Sequence, residues 1–70
     1  MTKIEEITEE QKQLLQNTML DNGMTAWEYA LSKPTEDQPW IMAGTLSCMK
    51  KGYGMTQLEI NWEARDLRYA

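Results

Sequence analysis

The sequence predicts an all-α domain, a small bundle of about four short helices arranged as two helix-turn-helix units. Three observations carry that expectation. Apolar residues recur at helical spacing along most of the chain. Glycine and proline divide it into short segments. Finally, Gly23-Met24-Thr25-Ala26-Trp27-Glu28-Tyr29 repeats the punctuation of Gly54-Met55-Thr56-Gln57-Leu58-Glu59-Ile60. In each stretch a glycine stops one helix, a threonine caps the next, and a glutamate three residues on returns the bond. The likeness fades outside these positions, and shared capping physics accounts for it.

The first helix is expected over about Ile4 to Asp21. Thr2 with Glu5 and Thr8 with Gln11 both have capping-box spacing, so two starts compete. Ile4, Ile7, Leu14 and Leu15 share a face, which Gln11 and Thr18 interrupt, and Asp21-Asn22-Gly23 is the stop. The second helix is capped by Thr25, with Met24 and Tyr29 spaced as a hydrophobic staple, and runs to about Lys33 before Pro34. Residues 34–39, bounded by two prolines, form the linker between the units.

A third helix is expected to begin near Pro39, because proline suits the first helical position. It carries Trp40, Ile41, Met42, Ala43, Leu46, Cys48 and Met49 and is apolar nearly all round, the pattern of a central helix. Lys50 and Lys51 complement the dipole of its last turn, and Gly52 ends it. In the fourth segment two periods compete. Leu58, Ile60 and Trp62 alternate with polar residues, which would pair residues 57–62 with 45–51 as a hairpin and give an α+β fold over residues 45–62. The Thr56 cap and the run Glu63-Ala64-Arg65-Asp66-Leu67-Arg68 favour a helix, which is the expectation adopted.

Seventy residues make one domain spanning residues 1–70. So short a chain buries only about 60% of its unfolded surface, and small domains compensate with disulfides, a metal or self-association. Cys48 is the only cysteine, which excludes an internal disulfide. With no histidine, the chain lacks the usual transition-metal ligands, and no metal or other cofactor is expected. Association remains, and a homo-oligomer, most simply a homodimer, is expected. The net charge of −4 and pI near 4.6 repel nucleic acid and anionic membranes, which directs the expectation to a protein partner. The opening residues have no apolar signal-peptide core, and no stretch approaches the ~18 apolar residues of a membrane span. With one free cysteine suited to a reducing compartment, the expected location is the cytoplasm.

Catalytic chemistry is sparse. The commonest general base, histidine, is missing. Cys48 lies among apolar residues and reads as a buried, inert thiol. Glu5, Glu6, Glu9 and Glu10 fall in the first turns of a helix, where solvated acids complement the dipole, and Glu36-Asp37 precedes a helix in the same way. Gly52-Tyr53-Gly54 lacks the spacing of a phosphate loop, and no calcium-loop pattern is found. The expectation is a protein that is not an enzyme.

The sequence is instead rich in anchors: Trp27, Trp40, Trp62, Tyr29, Tyr53, Tyr69 and six methionines. Trp27 and Trp40 are expected in the core and Trp62 at the surface. On the fourth helix Leu58, Trp62, Arg65 and Tyr69 follow one stripe, while Ile60, Ala64 and Leu67 follow another. The first combines arginine with aromatics and is the interface-like one. The candidate partner-binding residues are therefore Trp62, Arg65, Tyr69, Arg68, Lys50, Lys51 and Tyr53. Five of the seven basic residues lie from Lys33 onward, opposite in charge to the acidic first segment, a polarity that can orient docking.

Two functions follow. One is a protein-binding regulator, an adaptor or inhibitor that docks on a larger protein. In size, acidity and its wealth of tryptophan and methionine, the chain resembles accessory proteins of phages and mobile elements, many of which block host enzymes or defence systems. The likeness is one of type and covers no motif. The other is a DNA-binding regulator. Gly54-Met55-Thr56-Gln57-Leu58-Glu59-Ile60 is similar to the opening of the helix-turn-helix in bacterial repressors. Asn61 then stands where that family has a small residue, and no separate recognition helix follows it. The other unit's second helix, Thr25 to Lys33, has no arginine or asparagine to read bases. DNA binding ranks second, because its basic footprint is missing.

Overall fold

The computed structural model describes residues 7–69. It contains four helices in the order α1 (Glu9–Gln16), α2 (Ala26–Leu31), α3 (Gln38–Lys51) and α4 (Gln57–Tyr69). The all-α expectation holds. Residues 57–62 are helical, and no strand forms among the described residues, so the alternative hairpin over residues 45–62 is not adopted.

The start of α1 is set by Thr8. Its hydroxyl accepts from the Gln11 N–H at 3.1 Å, and Gln11 Oε1 accepts from the Thr8 N–H at 3.0 Å. The competing Thr2–Glu5 cap and Ile4 lie outside the described residues. The helix is shorter than expected, ending at Gln16 rather than Asp21. The reason is local competition for the backbone. The Thr18 carbonyl accepts from the Ala26 N–H at 2.8 Å, and the Leu20 N–H donates to the Met24 carbonyl at 2.8 Å. Met19 and Thr25 thus form an isolated antiparallel bridge around a turn in which Gly23 adopts φ 85°. These bonds occupy groups a longer α1 would need.

The second capping box forms as the sequence predicts. The Glu28 N–H donates to Thr25 Oγ1 and the Thr25 N–H to Glu28 Oε1, both at 3.1 Å. The helix stops at Leu31, two residues before the expected Lys33, with Ser32 as its C-cap. Pro39 sits in the first turn of α3 as anticipated. At the other end Gly52 takes φ 75°, the left-handed conformation that admits glycine readily. The Tyr53 N–H reaches the Cys48 carbonyl at 3.0 Å and the Gly52 N–H the Met49 carbonyl at 3.3 Å, the bond pair of a Schellman motif.

As its apolar circumference implies, α3 is central and packs against the other three helices. Leu15, Leu20, Ala26, Tyr29, Ala30, Ile41, Met42, Cys48, Ile60 and Ala64 form the core. Trp27 and Trp40, expected in the core, are instead only half-buried and pack against its edge. Running back along α3, α4 comes so close that a Cβ on Gly44 would lie 2.8 Å from the Ala64 nitrogen and 2.8 Å from the Ile60 carbonyl oxygen. Beside it, the buried Thr45 hydroxyl donates to the Ile41 carbonyl at 2.8 Å, so its polar group is satisfied within its own helix.

Candidate functional site

The packing of α3 against α4 decides which stripe of α4 meets water. Ile60, Glu63 and Ala64 are buried against the core, with Leu67 half-buried on the same side. The opposite stripe is solvent-facing: Leu58 is 68% exposed, Trp62 56% and Tyr69 76%, with Arg65 exposed among them. A large apolar group costs free energy when left in water. Three of them on 13 residues of one helix therefore form an unusual surface. Arg65 extends along this stripe, its guanidinium carbon 5.9 Å from the Trp62 ring centroid. A cation over a tryptophan face is held by the ring quadrupole.

Two grooves flank Trp62. One is lined by Lys51, Tyr53, Glu59, Trp62, Glu63 and Asp66. The other is lined by Leu58, Asn61, Trp62 and Arg65. A third groove, between the end of α2, the start of α3 and the end of α4, takes in Arg65, Arg68 and Tyr69 together with Lys33, Asp37 and Trp40. Six of the seven candidate residues (Trp62, Arg65, Tyr69, Arg68, Lys51 and Tyr53) therefore line grooves along α4, Lys51 and Tyr53 on one flank of the exposed stripe and Arg68 on the other. Lys50 does not join them. It is exposed and lines a separate groove with Ile7, Gln11, Leu46 and Leu67.

Two of the cations also have structural duties. Lys51 Nζ lies 2.8 Å from Glu63 Oε1, whose side chain is only 7% exposed while that of Lys51 remains 50% exposed. This bond holds the Lys51 ammonium above the usual lysine range, partial desolvation opposing it. Arg68 Nη1 lies 2.8 Å from Asp37 Oδ1, tying the end of α4 to the start of α3, and its guanidinium carbon sits 6.0 Å from the Trp40 ring centroid. The hydrogen bond to Asp37 raises the Arg68 pKa further. Neither cation was read from the sequence as half of an ion pair, because its partner is 12 or 31 positions away. Asn61, read only as a departure from the repressor pattern, has a structural role: its Oδ1 accepts the buried Tyr29 hydroxyl at 3.0 Å, linking α2 to α4.

Cys48 is fully buried. Burial pushes its thiol up from the ordinary value, and the nearby Glu63 and Glu59 push the same way, against a smaller downward pull from Lys51. A raised pKa withholds the thiolate that nucleophilic or redox chemistry requires. Among the described residues, no group of three or more cysteine, aspartate or glutamate residues is arranged to hold a metal ion, and no helix is long and apolar enough to cross a membrane. No protein-family model, no curated protein and no solved structure matches this chain.

Proposed function

We propose that this protein is a non-enzymatic regulator of the adaptor or inhibitor kind, which acts by docking the solvent face of α4 on a larger protein. One observation carries the reading: Leu58, Trp62, Arg65 and Tyr69 stand in water along a single stripe. Aromatic and arginine side chains are the types that dominate binding energy at protein interfaces. Four supports lie outside the stripe. The net charge of −4 disfavours polyanions. The sequence has no histidine. Cys48 is buried and its thiol is held above the ordinary value, which disfavours the thiolate. Lys51 and Arg68 are engaged by carboxylates of their own chain and so are less free to contact phosphates. The phage-accessory character and the cytoplasmic location belong to the same proposal, resting on size, composition and charge.

The test is affinity capture from the producing cell's lysate with mass spectrometry, using the wild-type chain beside Trp62→Ala and Leu58→Ala. One protein recovered in stoichiometric amount by the wild type, and depleted by both variants, is the expected result. Recovery indifferent to both substitutions overturns the assignment of the surface. Duplex titration at low and moderate salt tests the DNA-binding reading. A specific complex at moderate salt, with affinity falling steeply as salt rises and a shallower slope once Arg65 or Arg68 is removed, would replace the proposal.

A further inference from the structure

We propose that the groove between the end of α2, the start of α3 and the end of α4 receives an acidic segment of the protein partner, a pair of carboxylates carried on an aliphatic stretch. The inference rests on the docking reading above and names the chemistry of what docks. Three cations line this groove, Lys33, Arg65 and Arg68, against one lining acid, Asp37, with Glu36 also near enough to act on Arg68. Asp37 is already taken by Arg68 at 2.8 Å. Among the described residues no salt bridge holds Lys33 or Arg65. In a chain of net charge −4, this is a local surplus of positive charge. Opposite potentials across an interface set orientation and partner choice.

The two cations without an internal carboxylate, Lys33 and Arg65, are positioned in advance for the ligand, while Arg68 stays tied to Asp37 and supplies background positive charge. Lys33 Nζ lies 4.8 Å from the Tyr29 ring centroid, Arg65 rests beside Trp62 at 5.9 Å, and Arg68 beside Trp40 at 6.0 Å. A cation held against an aromatic face has less rotamer freedom to lose when it meets a ligand. Asn61 adds neutral donors: with its Oδ1 occupied by the Tyr29 hydroxyl, its amide N–H groups remain for the groove. Ile41, Ala64 and Trp40 provide apolar lining between these polar groups. Converging N–H donors suit carboxylate oxygens, and the apolar lining suits an aliphatic neighbour. A nucleic-acid backbone would need cations along a track, whereas these three are gathered in one groove of an acidic molecule.

The test is an NMR titration of the isotope-labelled full chain at low salt. The probes are acetyl-Leu-Glu-Glu-Leu-amide, its glutamine counterpart acetyl-Leu-Gln-Gln-Leu-amide, and a short DNA duplex. The glutamate peptide should shift the Trp40 indole and Asn61 amide resonances saturably, with the glutamine peptide roughly tenfold weaker or silent. Lys33→Gln and Arg65→Gln should each weaken the response, and added salt should suppress it. Equal shifts from both peptides, no shift at these residues, or tighter binding of the duplex would overturn the proposal. So would the same shifts on raising the chain's own concentration without peptide, which would give the groove to a second copy. A captured partner that is lost with Trp62→Ala but binds Lys33→Gln as well as wild type would leave the docking reading standing and remove only this inference.

Discussion

At Gly44 the α3 and α4 backbones approach so closely that a methyl group has nowhere to go: the atoms 2.8 Å from its Cβ position are backbone, not the far ends of flexible side chains. Gly→Ala inside an exposed helix ordinarily stabilises by about 0.5–1 kcal/mol. Here overpacking reverses the sign, and Gly44→Ala should lower stability by a net of about 1–2 kcal/mol in urea unfolding. An equally stable variant would mean that the two helices can separate without penalty. A second residue-scale prediction concerns Lys51, whose ammonium is held above its ordinary range by Glu63. A raised lysine contributes stability that is fully present below the unfolded value, about 10.4, and is lost as pH rises through the higher folded value. From about pH 10.4 upward the wild type should therefore lose stability that Lys51→Gln does not. At neutral pH that variant should be the weaker of the two, because the buried Glu63 carboxylate is left without its cation. Parallel pH curves for the two proteins would show that the pair contributes nothing.

Helix caps were the most legible elements, because a cap is a local contract between residues three apart. The spacing of Thr8 with Gln11 and of Thr25 with Glu28 gives both bonds of each box. At the fourth helix the box is only half made: the Glu59 N–H donates to Thr56 Oγ1 at 3.2 Å, but Glu59 Oε1 lies against the Thr56 hydroxyl at 3.4 Å rather than its N–H. Thr25→Ala and Thr56→Ala should each cost about 1 kcal/mol in denaturant unfolding, with Thr25 the larger. A neutral Thr56→Ala would argue against the helix start at Gln57. The apparent strand signal of Leu58, Ile60 and Trp62 resolves once the helix is placed. Leu58 and Trp62, four apart, share the wet stripe, while Ile60 faces the core. The length of α1 was not legible, since its end depends on the Thr18–Ala26 and Leu20–Met24 backbone bonds, which periodicity does not encode. Nor was the approach at Gly44, because a glycine in an apolar run reveals nothing of the helix that will cross it.

Across the whole molecule the exposed stripe of α4 was readable from spacing alone, since the apolar residues of α4 outnumber the positions one core face can take. The groove that joins Arg65, Arg68, Lys33 and Trp40 was not, because it brings together three elements separated in sequence. A core of this size is marginal, and the homo-oligomer expected from chain length remains a proposal beside docking. Melting temperature and sedimentation should then both depend on chain concentration. A concentration-independent monomer with a very high melting point would remove the need for a second copy. The central claim, that the solvent face of α4 is where this protein binds, is tested most directly by the affinity of Trp62→Ala for the captured partner. Trp62 is more than half exposed in the isolated chain, so its truncation should leave unfolding nearly unchanged. It should weaken binding by about 2 kcal/mol or more, roughly 30-fold. Wild-type affinity in a folded Trp62→Ala variant would contradict the account.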